Sequence, residues 1–211
     1  CNPEIDKDGD NIPDNLDVEG PIDWSYCDLT GLDLSNHNLS GTILTGAYLT
    51  DANLENVDLS GKDLTGTILA DANLTSVRLT GANLTNTIFI GAILTGADME
   101  SNWDCQFCHK IDLTGAILTG ADFTNANLEN LDLSYKDLTG TILTGAKLAS
   151  VNLTGVDLSG KDLTGTNLVA VDLSGMDLTG TILVGADLSR CNKMDANCIE
   201  STYWASDANL T

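Results

Sequence analysis

The 211 residues predict an all-β solenoid, a chain wound into a coil with square corners, and three observations carry that prediction. First, the chain divides without a gap into fifteen five-residue units from Cys27 to Ser101 and sixteen more from Ile111 to Arg190. A period of five fits neither the 3.6 of an α-helix nor the 2 of a flat strand, but it suits a unit made of one short side and one turn. Second, 28 of the 31 central positions are Leu, the others being Phe89, Met99 and Phe123. The residue two before the centre is mostly Ala, Val or Thr, so these two slots would point inward. Third, 20 Gly and many β-branched Thr recur where a helix would need continuity. Gly and Asn at the corners tolerate the positive φ that a sharp turn demands.

Taken in order, the elements are an N-terminal segment or cap (1–26), a first solenoid stretch (27–101), a loop that breaks the repeat (102–110), a second stretch (111–190) and a cysteine-bearing C-terminal coil (191–211). In the first segment, counting Asp6 as position 1, carboxylates fall at positions 1, 3, 5, 9 and 12 (Asp6, Asp8, Asp10, Asp14, Asp17), with the Ile12 carbonyl at 7. A twelve-residue loop wraps oxygen ligands around Ca²⁺ from such positions. Asp17 stands where an EF-hand has Glu, and Gly9 falls at position 4 rather than 6. The string resembles the calcium-binding thrombospondin type 3 repeat more closely, with Asn11 in place of a frequent Gly. The alternative is a solvated acidic tail.

The solenoid units, such as Ala52-Asn53-Leu54-Glu55-Asn56 and Lys62-Asp63-Leu64-Thr65-Gly66, resemble the pentapeptide-repeat family over about three quarters of the chain. That resemblance implies a right-handed quadrilateral β-helix with four units per coil and about eight coils. At about 4.8 Å per layer the rod would be roughly 40 Å long. A longer period of 25 residues lies on top, placing Lys62, Lys136 and Lys161 in a normally small inward slot. With 20 residues per coil these lysines would step around the sides rather than form a ladder. Each would need a carboxylate or a path to solvent.

The nine residues from Asn102 to Lys110 stand where two units would fit. They contain Cys105-Gln106-Phe107-Cys108-His109, the spacing of covalent c-type haem attachment, in which both thiols form thioethers and the His ligates iron. Met99, His37 or a neighbouring chain would supply the second axial ligand. The competing reading is a Cys105–Cys108 disulfide with an incidental His. A thioredoxin-like site is disfavoured, because no βαβ context surrounds it. At the ends, Cys1 with Cys27 and Cys191 with Cys198 are disulfide candidates that would clamp the terminal coils, although six Cys allow fifteen pairings. An interchain or lipid-modified Cys1 is an open alternative.

Charge narrows the function. Nine basic against 31 acidic residues give −22, which argues against a nucleic-acid groove or an anionic membrane surface, and no apolar run approaches the ~18 residues of a membrane span. Cysteine usage points to an oxidising, secreted, extracellular or cell-surface setting. Two His and repeat-determined outward Asp residues provide no catalytic constellation, so no enzymatic activity is expected. The leading expectation is a structural solenoid that self-associates end to end as a filament or surface-layer subunit, stiffened by calcium and disulfides. The sequence shows no helix to close the last coil. The alternative from a different class is an electron-transfer protein with haem held by Cys105, Cys108 and His109. A DNA-mimicking, gyrase-interacting role, known within the family, is disfavoured by the cysteines, the calcium-type loop and the lack of a matching dimerisation segment.

Overall fold

The computed structural model describes residues 22–101 and 111–189. The five-residue units share one pattern. The central Leu and the residue two before it are mostly buried, with Leu173, Met176 and Leu178 only partly so, the residue between them faces outward, and the last two form the corner. At the corner the chain closes a tight turn, as where the Ala47 amide donates to the Leu44 carbonyl at 2.9 Å with Gly46 at φ 68°. Positive φ at the third turn position is the type II pattern, which explains why corners carry Gly or, at Asn36, Asp51 and Asn86, a short polar residue. Gly120 illustrates the need for glycine: its φ is 73°, and an added Cβ would lie in contact with backbone, 3.4 Å from the Gly91 amide nitrogen of the coil below.

Four such units make one coil of a right-handed quadrilateral β-helix. The two named strands, β1 (Ile22–Asp23) and β2 (Thr42–Ile43), pair in parallel with a 20-residue offset. Parallel bridges at the same offset, Asp28 with Tyr48 and Asn53 with Asn73 among them, carry the ladder up the rod. Each side contributes one or two residues to a rung, so the strands are short although the ladder is long.

Two boundaries differ from the sequence reading. The coil already includes the unit 22–26, with Trp24 in the central slot at 1% exposure, because an aromatic fills the same inward position that Leu occupies elsewhere. The interruption does not replace two units. Across it the bridge offset changes from 20 to 29, as in Asn83 with Asp112 and Ile88 with Ile117, so the nine residues are extra to the coil and the winding loses no unit. The physical reason is that backbone pairing needs each unit on its own side. Extra residues between Ser101 and Ile111 leave that pairing intact, whereas a lost unit would shift every later unit to another side.

The core is one continuous column of Leu, Ala and Val, varied by Trp24, Phe89, Met99 and Phe123. Threonines in the inward slot are satisfied internally: Thr67, Thr87 and Thr181 each donate through Oγ1 to a Leu carbonyl of the preceding coil at 2.9–3.0 Å.

Candidate functional site

The outward residue of each unit is usually Asp or Asn for a local reason. Its Oδ1 accepts the backbone amide two residues on, as from Ser25 to Asp23 (2.9 Å), Ser60 to Asp58 (2.9 Å) and Thr179 to Asp177 (2.8 Å). The same side chains join successive coils. Asn53 donates to Asp33 at 2.9 Å and Asn73 donates to Asn53 at 3.0 Å, while Arg78 pairs with Asp58 at 3.1 Å.

These bonds set the electrostatics. Side-chain and backbone hydrogen bonds from the Ser or Thr two residues on hold Asp23, Asp28, Asp33, Asp58, Asp137, Asp157, Asp162 and Asp172 below the usual carboxylate range. The groups stay ionised at neutral pH, which makes them poor proton donors and the rod an acidic surface. A folded pKa below the unfolded value means the stabilisation is present above the unfolded value, about 3.9, and is lost as pH falls through the folded value. The melting temperature is therefore expected to fall between about pH 4 and pH 2 by circular dichroism. A melting temperature that keeps rising through that interval would show that relief of charge repulsion outweighs the corner bonds.

The inward lysines are half-buried with a path to solvent, and each ammonium donates to main-chain carbonyls. Lys62 Nζ donates to Ser40 and Thr42 at 2.6 and 2.8 Å, Lys136 to Leu113 and Ala116 at 2.5 and 3.3 Å, and Lys161 to Leu138 at 2.6 Å. Lys136 and Lys161 reach back 23 residues, the same step that Thr67 makes to Leu44. Burial lowers the pKa of Lys62 and Lys136, with Asp112 and Asp132 partly offsetting it for the latter. The three lysines lie on three different sides. Beside two of them runs a surface groove of about 480 Å³ lined by Tyr135, Lys136, Asp137, Asp157, Ser159 and Lys161. Sequence reading missed the groove because it joins coils 20 residues apart.

Of the other site residues read from sequence, Asp6, Asp8, Asp10, Ile12, Asp14, Asp17, Cys1, Cys105, Cys108, His109, Cys191 and Cys198 lie outside the described residues. Cys27 is described: it fills an inward slot at 1% exposure and is disulfide-bonded, with its partner outside the described residues. Met99, read as an axial haem ligand, sits in a central slot at 1% exposure, committed to the core. His37, the other axial candidate, is half-buried, with Nδ1 3.0 Å from the Ser35 carbonyl. Among the described residues no group of three or more His, Cys, Asp or Glu could hold a metal ion, and no helix is long and apolar enough to cross a membrane.

Eight copies of the family pattern "Pentapeptide repeats" match residues 25–61, 67–101, 108–145, 121–160 and 162–192. The chain belongs to the pentapeptide-repeat family. Solved structures similar to this pentapeptide-repeat protein include one from the Arabidopsis thaliana thylakoid lumen, at 32% identity over 49% of this chain and 66% of that one, with a TM-score of 0.44. HetL of Nostoc, involved in heterocyst differentiation regulation, is 28% identical over 81% and 89% of the two chains, with a TM-score of 0.35. QnrB1, a plasmid-mediated fluoroquinolone resistance protein, is 21% identical over 87% and 98%, with a TM-score of 0.32. No curated protein sequence matches the chain.

Proposed function

We propose that this pentapeptide-repeat protein is an extracellular structural rod that associates end to end, stiffened by calcium at its N-terminal segment and by disulfides at its ends. The observation that carries this reading is the translational character of the winding. The same parallel register repeats coil after coil, from Asp28 with Tyr48 to Asn167 with Asp187, so a coil of a second chain continues the pattern without new geometry. The disulfide at Cys27 fits an oxidising compartment and a clamped first coil, with Cys1 as the proposed partner. Two rods of net charge −22 repel, which gives Ca²⁺ on Asp6, Asp8, Asp10, Asp14 and Asp17 a second task, neutralising the junction.

Light scattering coupled to size exclusion tests the reading on the full chain. Mass that grows with concentration in millimolar Ca²⁺ and falls back in chelator is the expected result. A monodisperse monomer in Ca²⁺ across the accessible concentration range would overturn it.

A further inference from the structure

One side of the rod departs from the acidic pattern. Where other sides carry mostly Asp and Asn, with Ile93, Ile142 and Ile182 set singly among them, its outward residues on four successive coils are Tyr48, Ile68, Ile88 and Ile117, joined in register by the bridges Tyr48–Ile68, Ile68–Ile88 and Ile88–Ile117. Ile90 adds a second outward isoleucine beside Ile88 and is 45% exposed, while Tyr48 and Ile117 are 46% and 40% exposed. Among the described residues, no other side has two consecutive apolar residues at this outward slot. The repeat does not require them. Asp and Asn at the slot cap the corner amide, and each isoleucine forgoes that bond.

Carboxylates frame the strip. Asp28 and Asp137 occupy the same outward slot at its two ends, and Asp51 and Asp71 stand at the corner along its edge. Of the described cations only Lys136 lies on this side, and its ammonium is turned to the carbonyls of Leu113 and Ala116. Four rungs at about 4.8 Å make a strip roughly 15–20 Å long. That length suits about three turns of an α-helix at 1.5 Å per residue.

We propose that the strip of Tyr48, Ile68, Ile88, Ile90 and Ile117 is a docking surface for a cationic amphipathic helical segment of another protein. Its apolar face would cover the isoleucines, and its Lys or Arg residues would meet Asp28, Asp51, Asp71 and Asp137. Charge selects this occupant. A second copy would set these carboxylates against their own kind with no cation in the frame to offset them, and an anionic bilayer would be repelled by the whole rod. The surface lies along the shaft, so it is independent of end-to-end association.

Fluorescence anisotropy with dilute full-length protein tests this directly. The probes are a labelled twelve-residue Leu/Lys peptide with helical amphipathic spacing, a scrambled peptide of the same composition, and oligolysine of equal charge. At 150 mM salt the amphipathic peptide is expected to bind at least tenfold tighter than either control. The double variant Ile68→Asn/Ile117→Asn uses a residue native to this slot, and circular dichroism monitors its fold. It should lose at least tenfold in affinity for the amphipathic peptide. Asp51→Asn/Asp71→Asn should weaken binding and flatten its salt dependence. Equal binding of oligolysine, unchanged affinity in the isoleucine variant, or no binding because the strip is covered by the chain itself would each overturn the proposal. So would adsorption to phosphatidylcholine vesicles that the isoleucine variant abolishes.

Discussion

Phe89→Ala is expected to cost about 3–5 kcal/mol, a loss matched in this core only by truncating another fully buried aromatic such as Trp24. Phe89 is fully buried in a central slot and is flanked in its column by Leu69 and Leu118, through the pairing of Ile68 with Ile88 and of Ile88 with Ile117. The column is one residue wide on each side, so the gap is closed only if neighbouring coils move together. Their spacing is held by the bonds from Leu69 to Ile88 and from Phe89 to Ile117, both 2.8 Å. A cavity bounded by a rigid ladder collapses poorly, and the cost of truncation rises with the cavity that remains. Urea unfolding of the variant and wild type measures the difference. Thr80→Ala, a corner change on a different side that removes only a long 3.4 Å bond to Asp98, should stay within about 0.5 kcal/mol. A loss near 1 kcal/mol for Phe89→Ala would show that the coils slide to fill the gap.

The second large effect is Gly120→Val, expected to destabilise by about 2–3 kcal/mol, with Gly120→Asn losing well under half of that. Gly120 has φ of 73°, and an added Cβ would face the Gly91 nitrogen at 3.4 Å and its Cα at 3.7 Å. A β-branched residue in left-handed geometry is strained by about 1–3 kcal/mol, whereas Asn visits that region readily. Asn already does so at Asn86 and Asn125 with φ of 57°. Both variants add a Cβ against the same backbone, so comparing them separates strain from contact. Equal thermal stabilities would assign the cost to the contact with Gly91 rather than to φ.

The solenoid was legible because its determinants are local and repeated. A Leu at every central slot and Gly or Asn at the corners state the period, the inward face and the turn together. The break at 102–110 was visible as a loss of period, but its consequence was not. Whether it replaces units or is inserted depends on which side Ile111 resumes, and only the pairing of Asp112 with Asn83 decides that. Trp24 escaped the count because the unit 22–26 has no Leu, although its inward slot is filled just as well.

The chain's amino acids alone determined the five-residue winding, the acidic exterior and the inward place of Lys62, Lys136 and Lys161, since a strict five-residue period leaves each residue one direction to point; four sides per coil came with the family resemblance. Tertiary structure decided what lies 20 residues away. It turned the three lysines to carbonyls of the preceding coil, committed Met99 to the core, and stacked Tyr48, Ile68, Ile88 and Ile117 into one strip. Those partners are separated along the chain and become neighbours only through the closure of a coil, so no local pattern contains them.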